Sequence, residues 1–86
     1  MPTARLEDEL RSRARELIKA GRLRCGEHYR TWGGRGSNEL CALCDGLIKP
    51  DEVEYEIEFS GVHGAAVYRF HFQCHDAWQH GCTAAI

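Results

Sequence analysis

Cys41-Ala42-Leu43-Cys44-Asp45-Gly46 and His71-Phe72-Gln73-Cys74 are two short segments that each offer a pair of metal-ligating side chains. Between them lies Val53-Glu54-Tyr55-Glu56-Ile57-Glu58-Phe59, a strict alternation of apolar and acidic residues, with Glu52 extending the acidic row. A period of two predicts a strand with one apolar and one carboxylate face. Ser60-Gly61-Val62-His63-Gly64 predicts a turn in which His63 is solvated. The return strand is expected over Ala65–Phe72, with Ala66, Tyr68, Phe70 and Phe72 toward the core and Val67, Arg69 and His71 on the other face. Arg69 is placed to pair across the hairpin with one of the glutamates. Beyond Cys74, the run His75-Asp76-Ala77-Trp78-Gln79-His80 predicts a short helix ended by Gly81, with Trp78 as its core residue.

The two ligand pairs then meet across a hairpin. Zinc takes four tetrahedral ligands from Cys and His, and one short turn can place two of them on the same ion. The expected set is Cys41, Cys44, His71 and Cys74 on one Zn2+. Gly46 is expected to let the chain curl so that backbone N–H groups point at the thiolates, whose charge needs such donors. Cys74 falls in the first turn of the expected helix, where the dipole favours a thiolate. A Cys3His set leaves no open position, so the metal would be structural. The alternatives are buried reduced thiols, and a His71 bonded to a glutamate. His75, adjacent to Cys74, is read as solvent-facing or as supporting a ligand. It replaces His71 only if His71 is not a ligand.

The segments CALCDG, VEYEIEF, AVYRFHF and HFQCHDAW together resemble the treble-clef class of zinc finger, found in LIM and RING-like modules. The resemblance covers about residues 40 to 80. It implies a zinc knuckle, a hairpin and a helix that supplies the second ligand pair. Within that class the chain looks like a small bacterial-type protein. The class serves DNA binding, protein binding, ubiquitin transfer and nuclease chemistry alike, so fold does not settle function. Cys25, His28, His80 and Cys82 offer further ligand pairs for a two-zinc, LIM-like or RING-like module. The simpler reading makes Cys25 an exposed loop thiol and Cys82 an inconsequential tail thiol.

Outward from the hairpin, Leu6, Leu10, Ala14, Leu17 and Ile18 form one apolar stripe, which predicts a helix over about Ala4 to Ala20. Thr3 is its expected N-cap, and Glu7, Asp8 and Glu9 are expected in its first turn. Gly21 is placed to stop it, with Leu23 packing back on the last turn. Residues 23–40 are rich in Gly and Arg and show no sustained period, so a loop is expected there, pinned by Tyr29 and Trp32. Trp32-Gly33-Gly34-Arg35-Gly36 suggests a tight path with positive φ, and no Lys-Ser/Thr follows to make a phosphate loop. The 86 residues fit one α+β domain, 1–86, with residues 41–82 as the zinc-binding module. So short a chain has a small core and needs a staple.

Five cysteines, an odd number, argue against a complete disulfide framework. The opening MPTARLEDEL has no apolar h-region, and no apolar run approaches a membrane span. A cytoplasmic protein with reduced thiols is therefore expected. Net charge is −2, but residues 1–40 carry nine Arg or Lys against six Asp or Glu, and residues 41–86 carry two against seven. That is not the strongly basic profile of a typical nucleic-acid binder.

Two enzyme readings are weighed against this. Cys25-Gly26-Glu27 with Cys41-x-x-Cys44 mimics a zinc-deaminase signature. However, Leu40 stands where Pro is expected, and the chain is too short for that fold. An HNH-type nuclease would share the treble-clef frame, with His71, His75 and His80 as cation ligands. The paired histidines of that type are missing from the first strand, and the glutamate row would repel a phosphate backbone. The expectation is a non-enzymatic binding protein. A protein partner comes first, through the acidic hairpin face or the Trp32 loop. Nucleic acid comes second, through Arg11, Arg13, Arg15, Lys19, Arg22, Arg24, Arg30 and Arg35.

Overall fold

The alternating segment does form a strand, and it lies at the centre of a sheet. The computed structural model describes residues 3–26, 29–60 and 65–84, without the side chains of residues 3–5 and 84. Helix α1 spans Thr3–Lys19, followed by strands β1 (Tyr29–Arg35), β2 (Val53–Phe59) and β3 (Ala66–His71) and helix α2 (Phe72–Ala84). The antiparallel sheet has the order β1-β2-β3. Tyr29 pairs with Phe59 and Arg35 with Val53 on one side, and Glu54 pairs with His71 and Phe59 with Ala66 on the other. The result is α+β, as expected.

Strand β1 corrects the expected loop over residues 23–40. Six of its seven residues are exposed. A strand wet on both faces has no buried period to show in the sequence. What holds it is the ladder to β2, continued by Gly36 N–H, which donates to Glu52 O at 2.9 Å. Tyr29 does reach the core, its ring 5.3 Å from Phe59 and 5.5 Å from Trp78. Trp32 does not, and stays 45 % exposed on the face away from the helices. Positive φ falls at Gly21, Asn38 and Asp45 rather than in the Trp32–Gly36 segment. Gly36 answers instead to a close approach: an added Cβ would collide with the backbone carbonyls of Lys49 and Ile48.

One layer of core fills the space between the sheet and the helices. Trp78, Phe70, Leu43, Ile48 and Ile57 are its largest fully buried side chains. The Phe70 ring stacks on Trp78 at 5.4 Å, and Trp78 Nε1–H donates to Arg24 O at 3.0 Å, so the buried indole keeps its polar atom satisfied. Two core expectations fail. Val53 is half exposed, and Phe72 is 58 % exposed because β3 has already become α2 there.

Helix α1 ends as expected. Gly21 has φ +76°, its N–H donates to Ile18 O at 3.0 Å, and Arg22 N–H donates to Leu17 O at 2.8 Å. These are the paired bonds of a Schellman cap, and Leu23 is buried against the helix it closes. At the other end, Glu7, Asp8 and Glu9 lie beyond the first turn, because the helix already includes Thr3. The capping role expected of the Thr3 side chain lies outside the described residues, as does most of the expected turn at Ser60–Gly64, including His63. Helix α2 starts earlier and runs further than the expected short helix, straight through Gly81. Gly81 is there for contact: a Cβ would meet Ile18 Cδ1 at 2.9 Å and Ala14 Cβ at 3.4 Å. The two helices therefore cross at a glycine.

Candidate metal centre

The segment before β2 folds back on itself as a knuckle. An isolated bridge joins Leu40 to Leu47. Cys41 N–H donates to Gly46 O at 2.8 Å, and Asp45 N–H donates to Cys41 O at 3.0 Å. The left-handed residue that makes the turn is Asp45, at φ +64°, not Gly46. Aspartate is one of the few residues with a side chain that tolerates this conformation. Gly46 contributes its N–H to the Cys44 sulfur instead. Ala42 N–H donates to Arg69 O at 2.7 Å, which pins the knuckle to the outer edge of β3.

This arrangement brings together the four residues singled out in the sequence. One donor atom from each of Cys41, Cys44, His71 and Cys74 lies within 4.8 Å of the others. His71 is the last residue of β3, and Cys74 sits in the first turn of α2. His71 Nδ1 is 3.4 Å from Cys44 Sγ and 4.0 Å from Cys74 Sγ. Donors on a tetrahedral zinc are spaced about 3.5–3.8 Å apart, so the cluster fits such an ion with small adjustments. The other imidazole nitrogen is committed: His71 Nε2–H donates to Leu47 O at 3.0 Å, with Glu52 Oε1 at 3.6 Å. That bond leaves Nδ1 with its lone pair toward the sulfurs, the tautomer a metal ligand needs.

The protons of the cluster are unevenly held. Cys41 is pulled down to about 4, chiefly by the hydrogen bond from the Cys74 thiol, with the backbone N–H groups of Cys44, His71 and Leu43 helping against burial. Cys74 is correspondingly pushed far up as the donor of that bond, and burial adds to the effect. Burial is also the main cause that raises Cys44. For His71, burial favours the neutral ring, but the Cys41 thiolate, the Leu47 carbonyl and Glu52 outweigh it and raise the pKa. Sulfurs and imidazole thus share protons that a bound dication would displace.

A residue with no motif around it braces the knuckle. Arg13, on α1, donates through Nε to Leu43 O and through Nη2 to Asp45 Oδ2 at 2.9 Å. In the sequence it stands out only as one of the basic residues of the front half. Glu54 is a second case. It belongs to the expected acidic face, yet it is only 9 % exposed and accepts from Ser37 Oγ at 2.6 Å and Ser37 N–H at 3.1 Å. Arg69 pairs with Glu56 at 3.2 Å and approaches Glu54 at 4.0 Å, the cross-hairpin contact expected of it.

The remaining candidates lie elsewhere. Cys25 and Cys82 form a disulfide, with Cα atoms 5.6 Å apart, so neither is a free thiol or available as a ligand of a second zinc. His80 faces Asp76 at 3.9 Å and Arg11 at 3.3 Å. His28 lies outside the described residues. His75 points away from the cluster and stacks on Tyr55 at 4.5 Å, with Trp78 5.8 Å away. Its Nε2 is buried without a partner, and burial lowers its pKa. It lies outside the four-residue cluster and sits half-buried among rings, not facing solvent as one of its expected roles had it.

The chain is therefore an α+β protein with a Cys3His cluster that could hold a metal ion. No protein-family model matches it, and neither does any curated protein or solved structure. No described helix is long and apolar enough to cross a membrane.

Proposed function

We propose that this is a small zinc-binding protein of treble-clef type, in which one structural Zn2+ on Cys41, Cys44, His71 Nδ1 and Cys74 holds together a non-enzymatic protein-interaction module. One observation carries the reading: two donors from a knuckle and two from a strand–helix junction converge, and the outward nitrogen of the histidine is already bonded to Leu47 O. Four protein donors fill a tetrahedral shell, which favours a structural over a catalytic ion. When bound, the ion would cross-link knuckle, hairpin and helix, so its binding free energy would be folding free energy.

A protein partner is supported by the apolar surface beside the cluster. Leu6, Val53 and Phe72 are exposed, and they line a groove of about 500 Å³ that also includes Cys44 and His71. Nucleic acid is the second reading, but the basic face is partly committed. Arg13 holds the knuckle, and Arg11 sits near His80 and Asp76. Retention on heparin that falls steeply with salt would favour nucleic acid, because phosphate contacts release counterions. Flow-through at low salt would favour the protein partner. The cytoplasmic expectation is weakened by the Cys25–Cys82 bridge, since disulfides persist in oxidising compartments.

The first test is metal content by native mass spectrometry on protein purified without chelator. One zinc per chain is expected, lost in His71→Ala and kept in His75→Ala. A metal-free wild type, or retention in His71→Ala, would overturn the assignment.

A further inference from the structure

The two edges of the sheet differ. On the β3 side, the knuckle covers the edge by placing Ala42 N–H on Arg69 O. On the β1 side, among the described residues, no strand lies beyond Tyr29–Arg35. The direction of the β1 backbone follows from one bond. Gly36 N–H donates to Glu52 O, continuing the register in which Gly34 faces Glu54, Trp32 faces Glu56 and Arg30 faces Glu58. In an antiparallel ladder the N–H and C=O of one residue point to the same side, and the side alternates along the strand. Arg30, Trp32 and Gly34 therefore turn their backbone groups to β2. Tyr29, Thr31, Gly33 and Arg35 turn theirs outward, and among the described residues no other backbone group takes them.

We propose that β1 is a homodimerisation edge, on which a second copy of this chain adds its own β1 antiparallel about a two-fold axis at Trp32. The register is set by the strand itself. Centred on Trp32, Thr31 lies opposite the second copy's Gly33 and Tyr29 opposite its Arg35, so every outward N–H and C=O meets an outward partner. Trp32 lies opposite its own counterpart in a non-hydrogen-bonded pair, where Cα atoms approach to about 4.5 Å and side chains touch most closely.

The side chains suit that register as well. Trp32 is exposed on the sheet face away from the helices. Gly34 is two residues along the same face, and a Cβ there would meet nothing within 4 Å. The second copy's Arg30 would lie over that open notch, beside the Trp32 ring, in the arrangement of a cation–π contact. No like charges are directly opposed, because each arginine faces Gly34 or Tyr29. On the helix-side face, the Tyr55 ring already covers Gly33, an added Cβ there lying 3.3 Å from it, so the backbone can approach without a side chain in the way. The two three-stranded sheets would become one of six strands, which removes two open edges. This surface does not include the metal centre and does not rest on its being filled.

Sedimentation velocity from micromolar to millimolar concentration reads the outcome directly. The wild type should reach twice its 9.8 kDa chain mass. Thr31→Pro removes an outward N–H that β2 does not use, and should give a monomer, whereas Thr31→Val should remain a dimer. Trp32→Lys is compatible with the fold, because position 32 pairs with Glu56 of β2, yet it sets like charges across the axis and beside the second copy's Arg30; it should also give a monomer, which decides the matter if the proline variant does not fold. A wild type that stays at single-chain mass overturns the proposal. So does a dimer that survives Trp32→Lys, because its axis would lie elsewhere. Metal content in the same samples reports separately on the Cys3His centre.

Discussion

Arg13 and His75 show how much of a site's support sits in residues whose type reveals little. Arg13 grips the knuckle from α1 through Leu43 O and Asp45, tying the helix to the ligand loop. Outer contacts of this kind commonly change metal affinity by about 10–100-fold. Arg13→Ala should therefore weaken zinc retention about 10-fold while leaving the stoichiometry at one per chain, measured by competition with a chromogenic chelator. His75 makes the opposite case. It occupies a pocket of rings, with Nε2 buried and unpaired, and an unsatisfied buried polar atom carries a desolvation penalty of about 1–3 kcal/mol. His75→Phe keeps the stacking on Tyr55 and removes that penalty, so it should raise stability by about 1 kcal/mol in chemical denaturation. If it destabilises the protein instead, the nitrogen has a partner in solution.

At the scale of elements, what was legible depended on whether burial leaves a period. Strand β2 could be read because its core face and glutamate face alternate, and α1 because one stripe is apolar. The Cys3His cluster could be read because two paired segments flank that hairpin. Strand β1 could not, since nearly all of it is wet, and the glycines that suggested a loop are tolerated at an edge where little must pack. The far end of α2 was hidden by Gly81, whose ordinary meaning is a stop. Its meaning here is contact with α1, and that depends on a residue far away in sequence. Gly81→Leu should force α1 and α2 apart and cost about 1–3 kcal/mol, the usual range for overpacking. Gly81→Ala should be tolerated far better, because the flexible end of Ile18 is the nearest atom and alanine favours the helix by about 1 kcal/mol. Thermal midpoints of the two variants would order them.

For the whole molecule, the question is how so small a core is held; the structure has a disulfide near one end of α2 and, at the other, a cluster that would act as a second staple once it held a metal. Cys74 belongs to the metal cluster in the helix's first turn, and Cys82 is bonded to Cys25 near its last. The disulfide closes a separation of 57 residues. Loop-closure entropy puts its stabilisation at about 4 kcal/mol, an upper figure because unfolded chains are rarely structureless. No local motif announces such a pair, so the sequence offered Cys25 and Cys82 only as ligands of a second zinc or as single thiols. The staples act on different parts of the fold. The disulfide ties the end of α2 to the segment after α1, whereas the metal cluster ties the start of α2 to the knuckle and β3. Reduction alone should lower the denaturant midpoint while leaving one zinc bound and the far-UV circular dichroism native. Chelation alone should melt residues 40–80, with α1 and the end of α2 still tethered through the bridge. The two treatments together should unfold the chain. Full native dichroism after chelation of the zinc-loaded protein would show that the core holds without the ion, and the centre would then have to be explained by what it binds rather than by what it holds together.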